Sequence, residues 1–216
     1  MKKVILVLVV VVVGLAVLLG AFYSLNNYIY NEKQEPNSIP ELPLPQQNSD
    51  AGLTVEVVEY PELGFKFAYL KGDDGYTLIE PEASVEGGPV KTLMLVHADD
   101  MPAVENPPEG GEGPATITIQ VFENTKKQFP RQWAEENNAY SNIGLVMGEI
   151  EEAVVGGANA ITYKADGLYA SNVAVFASGE KMYVVQGAYR DEANPTFRDF
   201  TPLLNTIAFI PEPGQQ

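Results

Sequence analysis

The sequence predicts an α+β domain, a central antiparallel sheet flanked by helices, preceded by one transmembrane helix. Three observations lead there. Residues 4–23 (VILVLVVVVVGLAVLLGAFY) carry no strongly polar side chain. Between residues 53 and 189, short runs alternate apolar with polar residues and end at Gly, Pro or Asp, as strands do. Helical spacing then appears around Trp133 and again from Thr196 onward.

Residues 4–23 are long enough as a helix to cross the roughly 30 Å hydrocarbon core of a bilayer. In lipid every backbone amide must bond internally, which leaves helix as the available form for this valine-rich run. Val4, Leu8, Val12, Leu15, Leu19 and Tyr23 mark the anchor along its length. A cleaved signal peptide has an apolar core of about 7–15 residues and small residues at the cut. This run is longer, and residues 19–22 (LGAF) match a cleavage site poorly, so the anchor is read as retained. Lys2 and Lys3 precede it and hold the N-terminus in the cytoplasm, while Tyr23, Tyr28 and Tyr30 suit an interfacial belt. The expected location is a plasma membrane, single-pass, with the main domain extracytoplasmic.

The organisation follows. Residues 1–30 are the short N-terminus, span and flank, and 31–52 are a tether in which Pro36, Pro40, Pro43 and Pro45 oppose helix and sheet. Residues 53–211 form the α+β domain and 212–216 a tail. In the domain, strands are expected at 53–59, with Leu53, Val55 and Val57 on one face, and at 63–69, with Leu63, Phe65, Phe67 and Tyr69 together. Further strands are expected at 76–80, 90–98 and 116–123. A helix over 129–140 places Phe129, Trp133 and Tyr140 on one side, with Pro130 at its first position. Strands at 148–155, 158–164 and 169–177 come next, and the turn 178–181 (SGEK) leads into a strand at 182–189. A final helix over 196–208 begins at Asn194 or Pro195 and aligns Phe197, Phe200, Leu204 and Ile207, with Pro202 marking a kink or a late start.

Composition narrows the function. The 216 residues carry a formal charge of −16, of which −15 lies beyond residue 52. That excess opposes binding to nucleic acid, and it suits a domain held away from anionic lipid. The chain has no cysteine and one histidine, so disulfides, thiol nucleophiles and multi-histidine metal centres are excluded.

Residues 60–69 (YPELGFKFAY), the turn at 75–78 (GYTL), the strand pair at 154–163 (VVGGANAITY), the hairpin at 172–189 and the segment 206–210 (TIAFI) occur in an order that resembles PsbP/Mog1-like domains. The resemblance spans residues 53–210 and implies an α/β/α sandwich around a central antiparallel sheet. Leu70 stands where that family has proline, and residues 99–115 read as an acidic insertion. The family includes photosystem-II extrinsic subunits, a Ran-binding nuclear transport factor and many uncharacterised anchored bacterial domains. The anchor and tether make this chain most similar to the last group, for which the resemblance implies no defined activity.

Catalytic motifs are not found. There is no G-x-S-x-G elbow, and Gly110-Gly111 and Gly156-Gly157 lack the setting of a phosphate loop and read as turns. His97 reads as a strand-end histidine at the surface, with a base oriented by Asp99 or Asp100 as the sharper alternative. Asp73, Asp74, Asp99 and Asp100, with Glu105, Glu109 and Glu112, are candidate oxygen ligands, but no calcium-loop pattern occurs, so weak Ca²⁺ binding is the most they imply. The expected function is therefore non-catalytic: a membrane-tethered interaction or accessory module for an envelope protein partner. The alternative is a small-ligand carrier or hydrolase-type enzyme with a pocket between sheet and helix, drawing on Tyr163, Tyr169, Tyr183 and Tyr189.

The anchor is testable directly. Full chain from alkali-washed membranes should retain residues 4–23 on N-terminal sequencing, whereas a new N-terminus beyond residue 20 would show that the segment is a removed leader.

Overall fold

The computed structural model describes residues 52–82, 86–106 and 113–210. The expected anchor and its tyrosine belt, the tether up to residue 51, Glu109, Gly110, Gly111, Glu112 and the tail lie outside the described residues. Among the described residues, no helix is long and apolar enough to cross a membrane.

The strands are β1 (Thr54–Tyr60), β2 (Phe65–Lys71), β3 (Tyr76–Ile79), β4 (Lys91–His97), β5 (Thr116–Glu123), β6 (Val146–Val155), β7 (Ala158–Asp166), β8 (Ala170–Ser178), β9 (Lys181–Tyr189) and β10 (Ala208–Phe209). The helices are α1 (Met101–Glu105), α2 (Pro130–Glu136), α3 (Asn138–Ser141) and α4 (Pro195–Thr206). All strand pairs are antiparallel. They form a seven-stranded sheet ordered β3-β4-β5-β9-β8-β7-β6 and a separate sheet ordered β1-β2-β10. The single central sheet expected from the sequence is thus accompanied by a second, smaller one.

Alternation explains how the large sheet is buried on both sides. Leu93, Leu95, Ile117, Ile119, Val121, Phe176, Tyr183 and Val185 join one core with Phe65, Phe67 and Tyr69 of β2 and Phe200, Leu203 and Leu204 of α4. Ile161, Tyr163, Val173, Val175, Met182 and Val184 join Phe122, Trp133 and Ala134 in a second core. Trp133 stands 4.8 Å from the Phe122 ring and is a core anchor. The β6–β7 hairpin turns at Gly156 and Gly157, both with positive φ (59° and 87°), as a tight two-residue turn requires.

Several expectations change. Val55 and Val57 are nearly half exposed, because β1 is an edge strand whose inward residues are Val58 and Tyr60 instead. Phe129 is 76% exposed: it caps α2 in an extended conformation and so lies off the helical face. The expected helix over 129–140 breaks at Asn137, whose side chain donates to the Trp133 carbonyl at 2.9 Å. With leucine rather than proline at position 70, β2 runs on to Lys71. Helix α4 starts at Pro195, capped by Asn194, and continues through Pro202, so Pro202 does not mark a late start. The acidic insertion opens with a short turn and α1.

Thr206 connects α4 to β2. The β10–β2 register pairs Ala208 with Lys66, and carried back two residues it sets Thr206 opposite Ala68. There the Thr206 hydroxyl accepts from the Ala68 N–H at 3.0 Å and reaches the Ala68 carbonyl at 2.9 Å. A side chain thereby satisfies backbone groups that a longer β10 would have paired.

Helix α4 sits on β9 at Gly187, where an added Cβ would lie 2.7 Å from Cδ2 of the buried Phe200 ring. Gly187→Val should destabilise the chain by about 1–3 kcal/mol through overpacking. Combined with Phe200→Ala it should cost less than the sum of the two single changes, since each relieves the other. Chemical denaturation of the four proteins checks this, and strict additivity would show that the contact is not the cause.

Candidate functional site

Helix α4 and the small sheet leave the β6–β7 end of the large sheet uncovered, and a cleft of about 690 Å³ opens there. Its floor is built from Ala153, Thr162, Lys164 and Asn172, and its wall from Phe197, Thr201 and Asn205 of α4. These floor residues share one face of the strands, since Lys164 pairs with Asn172 and Thr162 with Ala174 in the ladder. On the opposite face of β7, Ile161 and Tyr163 fill the second core. Small or polar side chains toward α4 and large apolar ones away from it leave volume on one side of the same strand. In β6 the register jumps between Met147 and Glu151, a bulge that places Glu149 on the rim.

The charges around the cleft are unequal in their pairing. The Lys164 ammonium lies 4.0 Å from Glu192 and 5.3 Å over the Phe197 ring. Arg198 forms a two-pronged pair with Asp199, at 2.7 and 2.9 Å, and this contact holds its guanidinium pKa above the usual value. Asp199 also accepts the Tyr76 hydroxyl at 3.0 Å. Glu149, Glu151 and Glu152 are exposed and make no ion pair among the described residues.

The four tyrosines suggested for a pocket do not converge. Tyr183 donates to the Leu63 carbonyl at 2.6 Å, Tyr163 to the Ser141 carbonyl at 2.7 Å and Tyr169 to the Gly113 carbonyl at 2.7 Å. Tyr189 packs edge-on against Phe197. Tyr163 and Tyr183 belong to different cores. Burial pushes the Tyr163 phenol up to about 12 and raises those of Tyr183, Tyr76 and Tyr60, the last two helped by Asp199 and Glu80 respectively.

His97 is buried, contrary to the surface position expected. It packs edge-on against Tyr76, its strand partner, and the turn at Ala98–Asp100 closes over it. Its Nδ1 accepts from the Asp99 N–H at 3.4 Å and lies 3.5 Å from the Asp99 carboxylate. An acid does stand beside the imidazole, but the pair does not line the cleft. A hydrogen bond from the Ala98 N–H to the Gly75 carbonyl joins the turns that carry Asp73-Asp74 and Asp99-Asp100, while Glu105 ends α1. Among the described residues, no group of three or more carboxylates or histidines is placed to hold a metal ion.

Of the four tyrosines suggested for a pocket only Tyr163 lines the cleft, and the other lining residues were not named as pocket candidates. A signal for the cleft floor existed in β7, where Ala160, Thr162 and Lys164 alternate with Ile161, Tyr163 and Ala165. The wall came from a helix distant in sequence.

No protein-family model and no curated protein matches this chain. Solved structures similar to it include cyanobacterial PsbP (CyanoP) from Synechocystis sp. PCC 6803, at 11% identity and a TM-score of 0.46, covering 77% of this chain and 99% of that one. A protein from Bacteroides thetaiotaomicron VPI-5482 matches at 14% identity and a TM-score of 0.40, over 73% of this chain and 49% of that one. The Saccharomyces cerevisiae Ran-binding protein Mog1p matches at 11% identity and a TM-score of 0.40, over 73% and 96%. PsbP and Mog1p are the namesakes of the resemblance drawn from the sequence, and the likeness is one of fold.

The buried phenols set an alkaline limit on stability. An unfolded tyrosine ionises near pH 10, whereas these stay protonated in the folded chain beyond that. Above pH 10 the unfolded state therefore binds fewer protons, and stability falls with rising pH by up to about 1.4 kcal/mol per unit for each phenol held back. The Tyr163 share is confined to the window between the unfolded value and about 12. Denaturant midpoints should drop steeply above pH 10, and Tyr183→Phe should flatten the slope by one proton. Free titration of these phenols in the folded chain, followed by phenolate absorbance, would contradict it.

Proposed function

We propose that this chain is a membrane-tethered, extracytoplasmic and non-catalytic module that holds an envelope protein partner in the cleft between α4 and β6–β7. The observation that carries this reading is the cleft itself: an open trough on the exposed end of a sheet, with a mixed apolar and polar helix wall and a charged rim. The Tyr163 hydroxyl is committed to a backbone carbonyl and Lys164 is engaged by Glu192 and Phe197. The expected anchor would hold the module at a membrane, and the proline-rich tether would let the domain stand several tens of ångströms from it.

A photo-crosslinking residue at Val154, which is 67% exposed on the cleft rim, tests the proposal in the intact chain within its own cells. One reproducible protein adduct is expected. Thr201→Trp, which fills the cleft from the exposed face of α4, should lower its yield at least tenfold without changing thermal stability. Absence of any protein adduct, with a small molecule co-purifying in the cleft, would overturn the interaction reading in favour of a carrier.

A further inference from the structure

The cleft has a free backbone edge. Strand β6 ends the seven-stranded sheet, so one side of it pairs with β7 and, among the described residues, the other has no strand beside it. Beyond the bulge, residues 151–155 pair in regular register with β7, a straight stretch of about 17 Å at 3.4 Å per residue. An edge of this length is a template for strand addition unless something opposes it.

What lies along that edge selects the occupant. Glu149, Glu151 and Glu152 are exposed and lack an ion pair among the described residues, and they stand beside Val154 and Met147, exposed at 67% and 41%. The cations nearest the cleft, Lys164 and Arg198, are already matched by Glu192 and Asp199. The unmatched charge at the edge is therefore negative. A second copy of this chain pairing there would set these carboxylates against each other, and like charges across a strand pair are unfavourable. A cationic strand with apolar residues between its charges gains on both counts.

We infer that β6 is a docking edge for a basic, extended polypeptide segment, which adds as an eighth strand with its Lys or Arg side chains against Glu149 and Glu151 on the cleft side, while Glu152 on the opposite face adds to the negative field. The inference rests on the cleft being an interaction site and names the chemistry of what enters it. Attraction at the rim acts mainly on encounter and falls with ionic strength, while backbone pairing to residues 151–155 gives register.

The test uses the purified full chain and two ten-residue peptides, one alternating lysine with valine and one alternating glutamate with valine. The lysine peptide should bind, slow amide hydrogen exchange in residues 146–155, and lose affinity as salt is raised. The combined Glu149→Gln, Glu151→Gln, Glu152→Gln variant, altered only at exposed positions, should bind it about tenfold more weakly. Protection elsewhere, equal binding by the variant or by the glutamate peptide, or self-association of the chain through β6 would overturn the inference. The in-cell crosslink from Val154 separates the two levels. A partner whose crosslinked segment lacks basic residues overturns this inference alone, whereas no partner at all removes the interaction reading beneath it.

Discussion

Tyr183 joins the two sheets, and most of the architecture depends on the cluster around it. Its ring stacks on Phe176 at 5.3 Å, meets Phe65 edge-on at 5.3 Å and lies 5.5 Å from Phe209. It comes from β9 and Phe176 from β8, while Phe65 begins β2 and Phe209 ends β10, so two of these contacts tie the large sheet to the small one, and Phe176 meeting Phe209 at 6.1 Å adds a third. A phenol in that setting is 1% exposed and must find a hydrogen-bond acceptor. The acceptor is the Leu63 carbonyl, presented by a single turn that ends at Gly64 in the left-handed region (φ 75°). The Gly64 carbonyl in turn accepts from Ile210 at 2.9 Å. One buried hydroxyl thus fixes the turn before β2 and, through it, the end of the chain's last strand.

The placement of α4 follows from the same joint. With β2 and β10 fixed over β9 and β8, the helix between β9 and β10 must lie beside the small sheet. Gly187 lets it approach, and Thr206 completes the hydrogen bonding of β2. Strands β6 and β7 extend beyond this cover, and the cleft is the space left over. It is a consequence of a seven-stranded sheet covered on one side by three strands and one twelve-residue helix.

Much of the fold was legible because its signals are local. β5 matches its expected bounds at both ends, and Gly156-Gly157 and the 178–181 turn announced their hairpins. What escaped was set by partners far along the chain. Val55 and Val57 alternate as cleanly as any core strand, yet which face of β1 is buried was decided by β2 lying on β9. His97 looked like a strand terminus at the surface, and it is buried because Tyr76 and the following turn enclose it. β10 is two residues long and lies directly after a helix, too short for periodicity to register. The cleft needed residues from β6, β7, β8 and α4 together.

The acidity that marks the sequence takes a definite form in the fold. Lysines are used as cross-strand pins: Lys66 sits opposite Glu59 and pairs with it, Lys181 opposite Glu123, and Lys91 binds Glu80 while Tyr60 donates to the same carboxylate. Exposed pairs of this kind are worth at most about 1 kcal/mol each, so they fix register more than they stabilise. Their larger effect is on what remains. Each pin withdraws a cation from the surface field and leaves the excess carboxylates to define it. An edge strand normally guards itself with charge of either sign, but in a chain this acidic carboxylates are the charge left over. The same three glutamates that forbid self-pairing at β6 therefore also set the sign of whatever pairs there instead, and one selection against aggregation is enough to produce both properties.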